Sequence, residues 1–279
     1  MKILITGSDG LMGTNILPDL AQHFDIIPAT EKEWDILDER RGEEIIRLHR
    51  PDVLINLAAI TNVDGCEDAP ELAYRVNADG AGVLADLCRK QNVGLVHFST
   101  DYVFDGTSTR PYTEDDRANP LSIYGRSKLL GEQKVRERHP SSLVVRTEWV
   151  YGKGGENFIT KVTKIAREKG GVEVVNDQTG SPTYARDLAE PLRALITMHR
   201  SGIYHVTNSG SCTWFEFARE IFSVLQVDVP CKPTTTEASQ RKARRPAYSV
   251  LDCSKFKNDT GISVRTWQQA LQEYLAESQ

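Results

Sequence analysis

The most direct statement of chemistry in this sequence is a pair of residues four apart, Tyr124 and Lys128. On a helix such a pair shares one face. A free phenol ionises at about pH 10, too high for easy proton exchange near neutrality. An ammonium beside it favours the phenolate and lowers that value. Tyr124 then suits the role of general acid for a carbonyl oxygen that is receiving a hydride. The spacing alone is common on helix surfaces. It gains weight from Ser99-Thr100-Asp101-Tyr102, which closes an apolar run upstream. Thr100 there can donate to the same carbonyl oxygen and orient it; its plainer role is to satisfy the local backbone.

A second cluster lies at the N-terminus. Gly7, Gly10 and Gly13 form a GxxGxxG loop between an apolar strand and a helix start. Glycines let backbone N–H groups approach a pyrophosphate, and the helix N-terminus carries partial positive charge toward it. Leu11 and Met12 lie inside the loop. The next strand ends at Ala29-Thr30-Glu31-Lys32. An acid here suits a ribose diol and NAD, whereas a cation suits the 2′-phosphate of NADP. Both signals are present, so the choice between NADPH and NADH stays open. Asn56-Leu57-Ala58-Ala59 ends a further strand in small residues, against which a cofactor can lie. Asn77 follows in a helix, where its amide can pin a bend or hold a water.

These groups need elements to hold them. Strands are expected at Lys2 to Thr6, Asp25 to Ala29, Asp52 to Leu57, Leu95 to Ser99 and Leu143 to Arg146. Helices are expected at Leu11 to His23 (despite Pro18), Glu39 to His49, Ala73 to Gln91 and Ser122 to Arg138. This alternation implies parallel βαβ units with helices on both faces of the sheet. After Trp149 the pattern loosens, with Gly154-Gly155 and Gly170-Gly171 as punctuation. Further helices are expected at Tyr184 to His199, Trp214 to Leu225 and Thr266 to Glu277, and a strand at Gly202 to Val206, with a polar stretch from Lys232 to Arg245. The fold class is α/β: a Rossmann-type, doubly wound parallel sheet with a smaller C-terminal substrate-binding region. The dinucleotide part is expected at 1–147 plus about 182–208, and the substrate part at about 148–181 plus 209–279.

Composition narrows the classes. A formal charge of −5 argues against a general nucleic-acid binder. No run approaches the length of apolar chain needed to span a bilayer. Five cysteines without a CxxC pair read as reduced thiols of a cytoplasmic chain. Six scattered histidines without ligand spacing argue against a metal site.

Together these residues resemble the extended short-chain dehydrogenase/reductase family. Gly7, Gly10, Gly13, Asn56 to Ala59, Asn77, Thr100, Tyr124 and Lys128 match its landmarks. The segments Ser99 to Gly106, Pro120 to Lys128, Arg146 to Gly152, Asn176 to Thr183 and Ala243 to Pro246 are similar to its branch of nucleotide-sugar 4-ketoreductases. That resemblance implies reduction of the C4 ketone of a dTDP-linked 4-keto-6-deoxy sugar, dTDP-4-dehydro-6-deoxy-L-mannose, to dTDP-L-rhamnose. It implies cofactor contacts from Gly7, Gly10, Leu11, Met12, Gly13, Thr30, Asp35, Ile36, Ala58, Ala59, Ile60, Thr61, Tyr124 and Lys128. It implies substrate contacts from Thr61, Val63, Thr100, Asp101, Tyr102 and Trp149. A homodimer is one assembly to expect.

Trp149 has a physical case of its own, since an aromatic plane at a strand end can pack on a sugar or base, or else between the two halves. Arg244 and Arg245 could pair with a pyrophosphate or form a solvated basic loop. Two departures stand out: Glu148 takes a position where the family usually has a small residue, and Leu11-Met12 replaces a frequent glutamine. Rival activities are weaker. A 4,6-dehydratase needs a carboxylate where Tyr102 stands, and a 4-epimerase fits poorly with the segments around Thr100 and Trp149. A non-catalytic regulatory subunit, like the beta subunit of methionine adenosyltransferase, would not need the intact Thr100, Tyr124 and Lys128.

Overall fold

The computed structural model describes residues 1–277. Residues 278 and 279, the last two of the expected substrate part, lie outside the described residues. The first half runs β1 (Lys2–Thr6), α1 (Leu11–Leu20), β2 (Asp25–Ala29), α2 (Glu39–His49), β3 (Val53–Asn56), α3 (Val63–Asp68), α4 (Pro70–Tyr74), a π-helical turn (Arg75–Gly80), α5 (Ala81–Lys90) and β4 (Gly94–Thr100). Then come α6 (Ile123–Arg138), β5 (Leu143–Thr147), β6 (Val150–Tyr151), α7 (Phe158–Lys169), β7 (Val172–Val175), β8 (Thr179–Gly180) and β9 (Thr183–Tyr184). The chain finishes with α8 (Ala189–Thr197), β10 (Gly202–His205), β11 (Cys212–Thr213), α9 (Trp214–Leu225), β12 (Cys231–Thr234), α10 (Ser254–Thr260) and α11 (Trp267–Ala276).

Six parallel strands form the main sheet, in the order β10-β5-β4-β3-β1-β2. Strand alternation divides its side chains. Ile3, Ile5, Ile55 and Val145 face a core closed by α1 and α8. Leu4, Leu54, Leu95 and Val144 face the opposite core, closed by α2, α5 and α6. Burial on both faces explains why the strands read as unbroken apolar runs. The order reverses direction between β1 and β3, and the carboxyl ends there form the crevice where α/β sites assemble.

A third core lies outside the sheet, where Tyr151, Phe217, Trp267, Leu271 and Tyr274 join α7, α9 and α11. The segment after Trp149 is therefore more regular than its sequence suggests. α7 begins at the capping box of Asn157 and Thr160 and ends at Gly170, whose φ is +67°. The glycine doublets flank this helix; they do not mark a loop. The expected helix from Ala73 to Gln91 is three pieces, and that from Tyr184 opens with a 3₁₀ turn at Ala185–Leu188. α1 stops at Leu20, with Pro18 in its last turn. Among the described residues, no helix is long and apolar enough to cross a membrane.

Candidate active site

β4 delivers Thr100 to the crevice and ends there. The Thr100 hydroxyl accepts the Tyr102 N–H at 3.2 Å and donates to Asp101 Oδ1 at 2.9 Å. α6 then arrives with its N-terminus at the same point. Ser122 caps it through the Gly125 N–H, and Glu67 of α3 accepts the Ile123 N–H at 2.8 Å. A Cβ on Gly125 would stand 2.2 Å from the Tyr102 carbonyl oxygen. Only glycine lets α6 come this close, and that approach sets Tyr124 against its partners. The Tyr124 phenol meets the Thr100 hydroxyl, and its ring lies edge-on to Tyr102 at 5.6 Å between centroids. One turn on, Lys128 is buried and donates to the Phe98 carbonyl at 2.6 Å. Thr100, Tyr124 and Lys128 thus converge on the end of β4.

The electrostatics correct one expectation. Burial pushes the Tyr124 phenol up, opposed by the Thr100 hydrogen bond, and Asp101 pushes it further the same way. The spacing of Tyr124 and Lys128 predicts the opposite, an ammonium pulling the phenol down. That ammonium is engaged with Phe98 instead, and burial brings Lys128 itself down to about 8, against the opposing pull of Glu132. A phenol that keeps its proton across neutral pH is a proton donor, the role that ketone reduction requires.

The glycine loop fits a dinucleotide. Gly7 has φ +65°, and a Cβ on Gly13 would fall 2.2 Å from the Ser8 carbonyl oxygen. No side chain caps α1 at Gly10, so its first-turn N–H groups keep their donors for an anion. Leu11 and Met12 stand at the same helix start. Across the crevice, Asn56 Oδ1 accepts from Thr6 and from the Ala58 N–H, which fixes the chain at Ala58 and Ala59. Of the two roles open to Asn77, it takes the pinning one. It bonds both the N–H and C=O of Ile60 and also Ser127 of α6, so the π-helical turn ties the 58–61 loop to α6. Thr61 is exposed beside it. At the end of β2, Thr30 bonds Glu33 through both its N–H and its hydroxyl, while Glu31 and Lys32 are exposed. Asp35 accepts the Leu37 N–H, and the Ile36 side chain is buried against Gly80, where it forms a wall of the core.

The substrate side joins distant segments. Val63 opens α3, whose Asp64 accepts from Arg245 at 2.9 Å and from the Ala243 N–H. Arg241 and Lys242 pair with Asp64 and Asp68, so the basic stretch is strapped onto α3, and Arg244, just before Arg245, is exposed. Arg245 also faces the Tyr102 phenol. Trp149 has φ +47° and stacks on Trp214 with ring centroids 3.5 Å apart, leaving it partly exposed. The packing partner, Trp214, belongs to the same expected substrate part as Trp149 and not to the other half, and part of the Trp149 ring is open.

Sequence reasoning missed Trp214, the Asp64 clasp and the buried pair of Arg146 with Glu132. None has a local spacing signal, because each contact joins separated parts of the chain. It did single out Glu148, which turns out to be a buried anchor. Its carboxylate accepts the N–H groups of Ser181 at 2.9 Å and Leu251 at 3.0 Å.

A glycine loop at the first strand, with Thr, Tyr and Lys converging at the fourth, defines an oxidoreductase of the extended short-chain dehydrogenase/reductase type. More narrowly, the chain belongs to the RmlD substrate binding domain family, whose model matches residues 1–279. It is similar to the spore coat polysaccharide biosynthesis protein SpsK of Bacillus subtilis, 43% identical over 277 residues, covering 99% of this chain and 97% of that one. It is 41% identical to a dTDP-4-dehydrorhamnose reductase of Streptomyces griseus, covering 97% and 91%. The crystal structure of dTDP-4-dehydrorhamnose reductase from Bacillus anthracis in complex with NADP superposes with a TM-score of 0.96, at 38% identity, covering 99% of each chain.

Proposed function

We propose that this chain reduces the C4 ketone of dTDP-4-dehydrorhamnose to give dTDP-L-rhamnose, using NADPH. The observation that carries the reading is the contact of Thr100 with Tyr124 above a buried Lys128, at the mouth of a loop shaped for a dinucleotide. Likeness to reductases named for this reaction supplies the substrate class. When bound, the nicotinamide supplies the hydride. Thr100 orients the ketone oxygen, Tyr124 gives it a proton, and Lys128 holds the cofactor ribose. Thr61, Val63, Tyr102 and Trp149 serve the sugar side, while Asp101 is buried behind Thr100 and acts through it. In this reading 1–147 with about 182–208 serves the cofactor, and about 148–181 with 209–279 serves the substrate.

The test is nicotinamide oxidation with dTDP-4-dehydrorhamnose made in situ, with NADPH and NADH in parallel. Oxidation with NADPH and formation of dTDP-L-rhamnose is the expected result. No oxidation with either cofactor would overturn the reading and return weight to a regulatory role. Lys128→Ala is expected to raise the Kd for NADPH and to lower kcat together; an effect on neither would take Lys128 out of the site.

A further inference from the structure

Behind Thr100 the structure continues as a buried polar chain that the reduction itself does not use. Asp101 and Glu148 are each 1% exposed. Asp101 accepts the Thr100 hydroxyl, and its Oδ2 has no close hydrogen-bond partner. Ser249 lies between the two acids: it faces Asp101, and its hydroxyl is 3.5 Å from Glu148 Oε2. Beyond Glu148, the residues whose N–H groups hold it, Ser181 and Leu251, line a surface cleft of about 550 Å³ together with Thr207, Tyr248 and Cys253.

Two buried carboxylates this close cannot both stay charged cheaply. Glu148 is held by the N–H groups of Ser181 and Leu251, and Asp101 by the Thr100 hydroxyl. Tyr102 and Tyr124 lie against Asp101, and Tyr248, Cys212 and Cys253 against Glu148. Arg245 faces the Tyr102 phenol. Burial raises Asp101 to about 6, and burial with the charge of Asp101 raises Glu148 well above the usual carboxylate range. One proton held between the two carboxylates relieves their repulsion.

We propose that Glu148, Ser249 and Asp101 form a proton relay that resupplies Tyr124 through the Thr100 hydroxyl, filled from the cleft beside Ser181 and Leu251. The proposal rests on Tyr124 being the acid of the reduction. Tyr124 gives its hydroxyl proton to the substrate oxygen and becomes a phenolate. The Thr100 hydroxyl proton passes to that phenolate, and the proton of the carboxylate pair passes to Thr100 Oγ1. The pair, now doubly charged, takes a proton from water in the cleft. Each reduction thus consumes one hydride from NADPH and one solvent proton, and every side chain of the relay returns to its starting state. Glu148 and Ser249 touch neither substrate nor cofactor in this scheme, so they are positioning residues for the proton.

The experiment separates the first turnover from later ones by rapid mixing of the NADPH-loaded enzyme with substrate. In Glu148→Gln, the first turnover draws on a proton already on Tyr124 and is expected to proceed within about twofold of the parent. Steady-state turnover is expected to fall roughly tenfold or more, with a larger solvent deuterium isotope effect. Ser249→Ala should show the same split while leaving both N–H anchors of Glu148 in place, which guards against misfolding of the first variant. Unchanged steady-state rates and isotope effects in both variants would overturn the relay. So would equal losses in the first and later turnovers, the mark of a purely structural role. Tyr124→Phe, run alongside, reports on the underlying reading: if its first turnover is normal, Tyr124 is not the acid, whatever the other variants do.

Discussion

Tyr124→Phe is expected to bind NADPH nearly as well as the parent and to turn over about 10²-fold more slowly or worse, since a positioned general acid contributes at least that much. The substitution removes one oxygen and leaves the ring, so the edge-on contact with Tyr102 persists. It leaves Lys128 on the Phe98 carbonyl and the glycine loop untouched. The effect should therefore appear in kcat, with the Kd for NADPH measured by fluorescence titration almost unmoved. A drop in kcat and kcat/KM by the same factor would mark an interaction made only in the transition state. Thr100 alone can still hydrogen-bond the ketone oxygen, so some residual rate is expected. Near-normal turnover would remove Tyr124 from the mechanism. Because burial holds the phenol protonated, the parent enzyme should keep its acid through neutral pH, with no loss of rate from ionisation of Tyr124 there.

The physics of the sheet made the first half legible. Strands covered on both faces must be continuous apolar runs, and β1, α2 and α9 fall where their runs and periodicities begin and end. Thr100, Tyr124 and Lys128 were readable because a strand end and a helix face are local features. The split of α4 from α5 was not. A π-helical turn forms there because Asn77 commits its amide to Ile60 and Ser127, residues far from it in the chain. The glycine doublets around α7 looked like breaks because a helix cap and a loop use the same residue. The substrate side was the least legible. Trp149 against Trp214, Asp64 against Arg245, and Glu148 against Leu251 join residues tens of positions apart, and periodicity carries no record of such pairs. Glu148 could be flagged only as a charge in an odd place. The structure supplies the reason it is tolerated: two backbone N–H donors stand ready for it.

The largest stability effect is expected one turn beyond Lys128. Glu132 of α6 accepts from Arg146 of β5 through both oxygens, at 2.9 and 2.7 Å, with the two side chains 3% and 4% exposed. Arg146 also lies over the Phe104 ring at 5.2 Å and reaches His205 at 3.4 Å. Removing Glu132 would leave a guanidinium in the core with no counter-charge. It cannot shed its proton, as a buried lysine could. Nor can His205 replace the acid, since an imidazole carries no negative charge; burial and Arg146 push it down to about 3, so it adds no second cation either. Glu132→Ala should therefore cost about 3–5 kcal/mol, a large share of the roughly 5–15 kcal/mol that a domain commands. Urea denaturation should show a lower midpoint with an unchanged slope. A double variant, Glu132→Leu with Arg146→Met, removes both charges and should be more stable than Glu132→Ala, because no charge is left to desolvate. A double variant less stable than Glu132→Ala would mean that the pair itself, and not the stranded cation, sets the stability. The same loss should reach the site: Glu132 supports the charged form of Lys128, so without it the ammonium falls further below about 8 and cofactor binding weakens toward higher pH. The pair thus couples the stability of α6 to the charge that α6 carries into the active site.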